Sequence, residues 1–249
     1  MKARILVLNA GSSSLKFQLL LMPDEDTICK GTAERLGSEN GFLFVEMGGK
    51  EWKEDLGAAD HQQALERVAQ IIGEMEVSHD ADDPGIHAVG HRVVHGGSEF
   101  SSTTAITESV KKQIRKLSAL APLHNPLNLQ GILLAETLFP QALQVAVFDT
   151  AFHRSIPERA RFYAIPKALT ESEGIQVYGF HGTSHKYVYD QIAPNLHSES
   201  RVISLHLGNG CSATAIQGGK SVDHSLGFTP SDGLITVSYT HLTLPTKIV

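Results

Sequence analysis

Cysteine is scarce in this chain: two residues, Cys29 and Cys211, stand in 249, far apart and without a CxxC spacing. That excludes a disulfide framework and a cysteine-only zinc site, and two free thiols are expected. A basic footprint is missing as well. The 21 Lys and Arg are outnumbered by 27 Asp and Glu, with a formal net charge of −6 and a pI near 6.1, so neither nucleic acid nor an anionic membrane surface is an expected partner. No apolar run approaches the ~18 residues that span a bilayer, and the ILVLN near the start is too short for a signal peptide, so a cytoplasmic protein is expected. No low-complexity linker interrupts the sequence. Its composition, 41% hydrophobic and 19% charged, suits one large or two modest globular domains.

What is present is patterned. ARILVLN and LKFQLLLM read as strands, because Leu15, Phe17, Leu19 and Leu21 alternate with Lys16 and Gln18. The Gly-Ser turn between them therefore joins strand to strand. That excludes a Walker A loop, which opens a helix and needs GxxxxGK[ST]. DHQQALERVAQIIGEM predicts a helix capped by Asp60, with Ala64, Leu65, Val68, Ile71, Ile72 and Met75 on one face. TESVKKQIRKLSAL predicts a second, capped by Thr107, with Val110, Ile114, Leu117 and Leu120 as its stripe. HNPLNLQGILLAETLF predicts a third, with Asn125 as N-cap and Pro126 at the first helical position. IHAVGHRVVH, LQVAVFD and RVISLHL are strand candidates between helices, and the alternation makes the chain α/β.

One segment echoes another. ILVLNAGSSSLKF and VISLHLGNGCSAT align strand on strand and turn on turn, placing Asn9 over His206, Gly11 over Gly208 and Ser12 over Asn209. Two such turns facing across a cleft could offer backbone N–H groups to opposite ends of a polyphosphate. Taken singly, the polar residues read blandly. Arg92 alone is a surface arginine, Asp149 a turn cap, and His124, His181, His185 and His206 hydrogen-bonded core histidines. HRVVH has the i, i+4 spacing of a zinc helix, but it lacks the accompanying Glu and alternates like a strand, so no metal site is read there. Cys211 reads as a small buried thiol.

Seven motifs in order change the weight of those residues: LVLNAGSSSLKFQL, VGHRVVHGG, LAPLHNPLNL, VAVFDTAFH, YGFHGTSHKYV, HLGNGCSATAI and SVDHSLGFTPSDGL. In these the chain resembles the acetate kinase (acetokinase) family of the actin, sugar-kinase and Hsp70-like superfamily. The resemblance implies an α/β fold of duplicated actin-like (ribonuclease H-like) domains with mixed sheets. Residues 1–150 would form the first domain, with the first phosphate hairpin and the acyl site. Residues 151–234 would begin a second, incomplete one, and 235–249 would be a tail foreign to the family. It implies reversible phosphoryl transfer from ATP to acetate, giving acetyl phosphate and ADP with Mg2+, and a homodimer for the full-length family. Propionate, or another short acid, is the alternative substrate.

Carried over residue by residue, Asn9 matches the asparagine near the metal and phosphates. Lys16 matches the ATP-linked lysine, and Ser12 lies in the first phosphate turn. Arg92 matches the substrate-binding arginine, Asp149 the catalytic acid/base position and His181 the histidine that stabilises the transition state. His206, Leu207, Gly208, Asn209 and Gly210 match the second phosphate loop. His124, with Val94, Leu123, Phe180 and Pro230, matches the active-site histidine and the apolar wall around the acyl methyl. The residue types suit the chemistry: joining two anions while charge spreads over phosphoryl oxygens is a matter of positioning and electrostatics, and a guanidinium offers the planar paired donors a carboxylate needs.

The sequence departs from the pattern in two places. His224 stands in DHSLG where DTSMG is usual. After GFTPSDGL the family continues with an MGTRSGD-like segment and a long region carrying the adenosine pocket, whereas this chain ends ITVSYTHLTLPTKIV. The expectation is a truncated chain with little or no turnover, or a non-catalytic phosphate-binding fragment.

Overall fold

The structure, a computed structural model, describes residues 2–76, 85–208, 210–230 and 232–233. Asn209 and the expected tail at 235–249 lie outside the described residues. Two compact units divide the chain: Met1–Val94 with Thr103–Val147, and His95–Ser102 with the chain from Phe148 onward.

The first unit grows from a hairpin. β1 (Ala3–Ala10) and β2 (Ser14–Met22) pair antiparallel from Ala3↔Met22 to Ala10↔Leu15. Strands β3 (Asp26–Glu34), β4 (Gly41–Met47) and β5 (Lys50–Gly57) extend the sheet on one side, each antiparallel to the one before. Helix α1 (His61–Glu76) follows, then β6 (Ala88–Val93), which pairs parallel with β1. The two-residue β7 (Thr104–Ala105), α2 (Glu108–Lys116), α3 (Asn125–Leu138) and β8 (Leu143–Phe148) complete it. The mixed sheet runs β5-β4-β3-β2-β1-β6-β8-β7. Leu6, Leu8, Leu15, Phe17, Leu19, Leu43 and Val45 project from one face of it into a core closed by Leu65, Val68 and Ile72 of α1, as the alternation requires.

The caps follow their chemistry, with one correction. Asp60 Oδ1 accepts from Gln63 N at 2.9 Å while Gln63 Oε1 accepts from Asp60 N at 3.0 Å, a reciprocal capping box. Thr107 Oγ1 accepts from Val110 N. The α2 stripe outlasts the helix, because a 3-10 turn over Leu117–Ala119 carries Leu117 on. Asn125, expected as the N-cap of α3, is instead its first residue, and His124 is the cap. The preceding turn already donates Asn125 N to Ala121 O at 3.0 Å, so the helix begins a residue early, and Asn125 is buried rather than capping. The side chain of Met75 lies outside the described residues.

The second unit starts where β8 ends. Phe148 leads into Asp149, a 3-10 turn over Ala151–Ser155, α4 (Glu158–Arg161), α5 (Lys167–Glu173) and α6 (Gly182–Ile192). Strands β9 (Arg201–Leu207), β10 (Cys211–Gln217) and β11 (Lys220–His224) make an antiparallel sheet ordered β11-β10-β9. The β9–β10 hairpin, closed at Leu207↔Cys211, repeats the device of β1–β2. The segment His95–Ser102 belongs here because Gly96 N donates to Thr150 Oγ1 at 2.9 Å and Phe100 stacks on Phe148 with centroids 4.1 Å apart. Both cysteines are free thiols, Cys29 buried and Cys211 partly so. Among the described residues no helix is long and apolar enough to cross a membrane.

Candidate active site

In the first unit the predicted polar residues gather at the carboxyl ends of the parallel pair β1 and β6, where α/β sheets commonly bind ligands. Arg92, on β6, donates from Nη1 to Asn9 Oδ1 at 3.1 Å. Asn9 faces Lys16 across the hairpin, and both line a cavity of about 410 Å3 that Lys30 and Phe44 also border. The turn beyond is held from behind: Gly11 N donates to Ser14 O at 2.8 Å, Leu36 N to Ser13 O at 3.0 Å, and His61 Nε2, opening α1, to Gly11 O at 2.7 Å. Ser12 is exposed at the tip.

Asn128, not singled out in the sequence, ties this end together. From the first turns of α3 its Nδ2 donates to Ala10 O and its Oδ1 accepts from Val94 N, both at 3.1 Å. One turn earlier, His124 caps the helix with Leu123 beside it, half exposed. Val94 is buried. The first histidine of GHRVVH, His91, points the opposite way from Arg92 along the strand and donates from Nε2 to Gln144 Oε1 at 2.8 Å. Burial holds its pKa below the usual imidazole value, so it is a core histidine in a strand, as its alternation predicted.

In the second unit a tight approach of main chain to main chain assembles the site. Gly182 N donates to Asp149 O at 2.8 Å, and a Cβ at residue 182 would sit 2.2 Å from that oxygen, so only glycine fits. This brings Thr183 Oγ1 to 3.1 Å from Asp149 Oδ1; the Asp149 carboxylate is buried. His181, immediately before α6, has φ 57° and ψ 22°, a left-handed conformation uncommon outside glycine and typical of functional positions.

The peptide ahead of His181 is clamped by two imidazoles. His153 donates from Nε2 to Phe180 O at 2.9 Å, and His224 accepts at Nε2 from Phe180 N at 3.0 Å. Each ring's other nitrogen meets a hydroxyl, His153 Nδ1 that of Ser221 at 2.9 Å and His224 Nδ1 that of Thr214 at 2.7 Å. The clamp needs His224 neutral, because a protonated Nε2 could not accept, whereas His153 donates to Phe180 O in either state. Burial pushes the pKa of His153 down to about 4, and burial with neighbouring imidazoles pushes that of His224 to about 2. His224, noted as a departure from the family pattern, is thus a working part of the interior. Phe180 itself is buried, edge-on to His95 with centroids 5.7 Å apart.

His181 Nδ1 lies 2.9 Å from Ser212 Oγ, and His185 joins Ser212 to Ser204 through its two nitrogens at 2.8 and 2.9 Å. The His206 ring stacks on His181 with centroids 4.2 Å apart, and its Nδ1 meets Ser184 Oγ at 3.0 Å. Beyond it Leu207 is 74% exposed and Gly208 N donates to Gly210 O at 3.2 Å. Pro230 is half-buried. Asn209 lies outside the described residues. Asn9, Lys16, Arg92 and His124 therefore belong to the first unit, and Asp149, Phe180, His181 and His206 to the second.

These features define an α/β protein built on two β-hairpins, each ending in a small-residue turn. The model of the Acetokinase family matches residues 4–239, and the chain belongs to that family. It is 49% identical over 232 residues to the acetate kinase of Flavobacterium johnsoniae, covering 93% of this chain and 59% of that one. It is 48% identical over 235 residues to that of Oceanobacillus iheyensis, with the same coverage. Among solved structures, a propionate kinase from Francisella tularensis superposes with a TM-score of 0.88 at 42% identity, over 94% of this chain and 60% of that one. The Porphyromonas gingivalis acetate kinase gives 0.83 at 41%, with the same coverage. The chain spans about 59% of the length of the curated relatives it matches.

Proposed function

We propose that the chain carries the acid- and phosphate-handling residues of an acetate kinase, a cytoplasmic enzyme that transfers a phosphoryl group reversibly from ATP to acetate. The observation that carries this reading is the turn joining Asp149 to Gly182, which sets a buried carboxylate and a left-handed histidine side by side from segments more than 30 residues apart. Phosphoryl transfer requires little covalent chemistry of the protein and much positioning.

Arg92 would take the acyl carboxylate. Its guanidinium already donates to an amide oxygen, so it is oriented for an acceptor of the same kind before substrate arrives. In the second unit His181 would donate to the transferring group, and His206 with Gly208 and Gly210 would hold phosphate; in the first, Ser12 and Lys16 would do so. For the acyl group the first unit offers His124, Val94 and Leu123, with Leu123 the most accessible, and the second offers Phe180 and Pro230. A pocket of this kind discriminates by about 1–3 kcal/mol per methylene, so propionate competes with acetate.

Among the described residues no group of three or more His, Cys, Asp or Glu could hold a metal. Magnesium needs no such group, since it binds through one or two carboxylates plus the substrate phosphates. Asp149 is the carboxylate that would hold it in the second unit, and Asn9, whose oxygen also accepts from Arg92, is the candidate in the first. When bound, magnesium would neutralise phosphate charge.

The test is hydroxamate trapping with acetate or propionate, ATP and magnesium, beside the Flavobacterium johnsoniae enzyme as a positive control, together with calorimetric titration of acetyl phosphate. Saturable acetyl phosphate binding that Arg92→Ala abolishes supports the proposal. A chain that neither binds acetyl phosphate nor forms hydroxamate refutes it, and binding without hydroxamate marks a non-catalytic phosphate binder.

A further inference from the structure

Ser204, His185 and Ser212 have no part in the reading above, yet they run in single file to His181. The Ser212 hydroxyl, buried on β10, is 2.9 Å from His181 Nδ1 and 2.8 Å from His185 Nε2. His185 is itself buried, and its Nδ1 lies 2.9 Å from the hydroxyl of Ser204, buried on β9. Two strands of the second sheet thus present one hydroxyl each to the two edges of one ring.

Counting protons gives the file a direction. A hydroxyl carries one proton and a neutral imidazole one. His185 is neutral, since burial first and the imidazoles around it next push its pKa down to about 3. Only two arrangements then satisfy every link. In the first, Ser204 donates to His185 Nδ1, His185 Nε2–H donates to Ser212, and Ser212 donates to His181 Nδ1. In the second, every bond is reversed, and His181 donates from Nδ1. They differ at the inner end. Among the described residues His185 is the sole hydrogen-bond partner of the Ser204 hydroxyl, so reversal leaves that buried proton without an acceptor, whereas the first arrangement strands no proton. Buried donors without acceptors are rare because they are costly.

We propose that Ser204, His185 and Ser212 are positioning residues that hold the His181 proton on Nε2, fixing this histidine as a donor through that nitrogen. That the recipient is a transferring phosphoryl group rests on the acetate-kinase reading; the tautomer does not. The division of labour is then complete. His153 and His224 fix the peptide ahead of His181, and the file fixes its proton.

The test reads both ring nitrogens of His181 in the full 249-residue chain, labelled with 15N-histidine, by long-range proton–nitrogen correlation NMR at neutral pH. The expected wild-type pattern is a bare Nδ1 and a protonated Nε2. The decisive variant is Ser212→Ala, which removes the hydroxyl that meets His181 Nδ1 and leaves that nitrogen free to take the proton. The His181 Nδ1 resonance then shifts toward the protonated position, and Ser212→Thr restores it. A wild-type His181 protonated at Nδ1 overturns the proposal without any variant having to fold, and an unmoved His181 in folded Ser212→Ala overturns it equally. The expected tautomer in a chain that fails to bind acetyl phosphate upholds the file and refutes the acetate-kinase reading instead.

Discussion

Acid should unfold the second unit well before a typical domain gives way. Its interior holds four buried histidines with depressed pKa values: His95 and His153 at about 4, His185 at about 3 and His224 at about 2, with burial the first cause in each. An unfolded histidine titrates near 6.5. Below that pH the unfolded chain binds protons that the native chain refuses, so stability rises with pH and is withdrawn as pH falls from 6.5 toward the folded values. Each group contributes a slope of about 1.4 kcal/mol per pH unit once its unfolded form is protonated, so four approach about 5 kcal/mol per unit. Between pH 8 and pH 5 the loss sums to about 8 kcal/mol, as large as the whole stability of an ordinary domain at roughly 5–15 kcal/mol.

Urea titrations at pH 8, 6.5, 5.5 and 5 measure this. The sequence supplies separate probes, because the single tryptophan, Trp52, lies on β5 of the first unit while every tyrosine lies beyond residue 160. Near-ultraviolet dichroism of tyrosine should lose its transition between pH 6 and 5. His224→Thr, which removes one of the four groups, should flatten the slope by about a quarter. A slope under about 1.4 kcal/mol per pH unit would mean that no more than one of these rings is held neutral, and the account of the Phe180 clamp would be wrong.

Three further outcomes are expected. Asn128→Ala strands the buried Val94 N–H and frees Ala10 O, costing about 2–4 kcal/mol in urea unfolding; Asn128→Asp keeps the acceptor for Val94 and should cost less. Gly182→Ala drives a Cβ against Asp149 O, so a loss of more than about 2 kcal/mol in thermal unfolding is expected, and a neutral outcome would show that the Asp149–Gly182 approach is looser than 2.8 Å. Arg92→Lys keeps the charge but loses the planar pair, and calorimetry should find acetyl phosphate bound about tenfold more weakly, about 1.4 kcal/mol; undiminished affinity would remove Arg92 from the acyl site.

Much of the first unit was legible because its strands bury one face. Leu15, Phe17 and Leu19 alternate in the sequence and are the residues buried in β2. Two strands went unread for a physical reason. β4 is apolar on both faces, with Leu43 and Val45 in the core and Phe44 beside the cavity, while β5, at the sheet edge, is mostly charged, so neither shows the alternation that marks a half-buried strand. Helix α6 was hidden similarly. It has no side-chain cap, because a left-handed His181 precedes it, and its buried residues are Gly182 and His185 rather than an aliphatic stripe. The site was legible only as far as motifs run: Arg92, Asp149 and His181 carry a pattern, whereas Asn128 looks like any helical asparagine until the ends of β1 and β6 come within its reach.

The serines and threonines of the second sheet were the hardest to read, and they explain why the two units differ in kind. An aliphatic core, such as that of the first unit, is held by burial that is indifferent to direction. Ser204, Ser212, Thr214 and Ser221 sit at ordinary strand positions with nothing local to mark them; what gives them meaning is the histidine that arrives opposite each, from the neighbouring strand for Thr214 and from other elements for the rest. Such hydrogen-bonded interiors add little net stability, since each bond replaces one to water, but they are directional and costly to leave half-made. A group that must point one proton along one line gains from that directionality what an aliphatic core cannot supply. The acid sensitivity follows from the same interior, because the rings that orient His181 and the peptide ahead of it are held uncharged by burial.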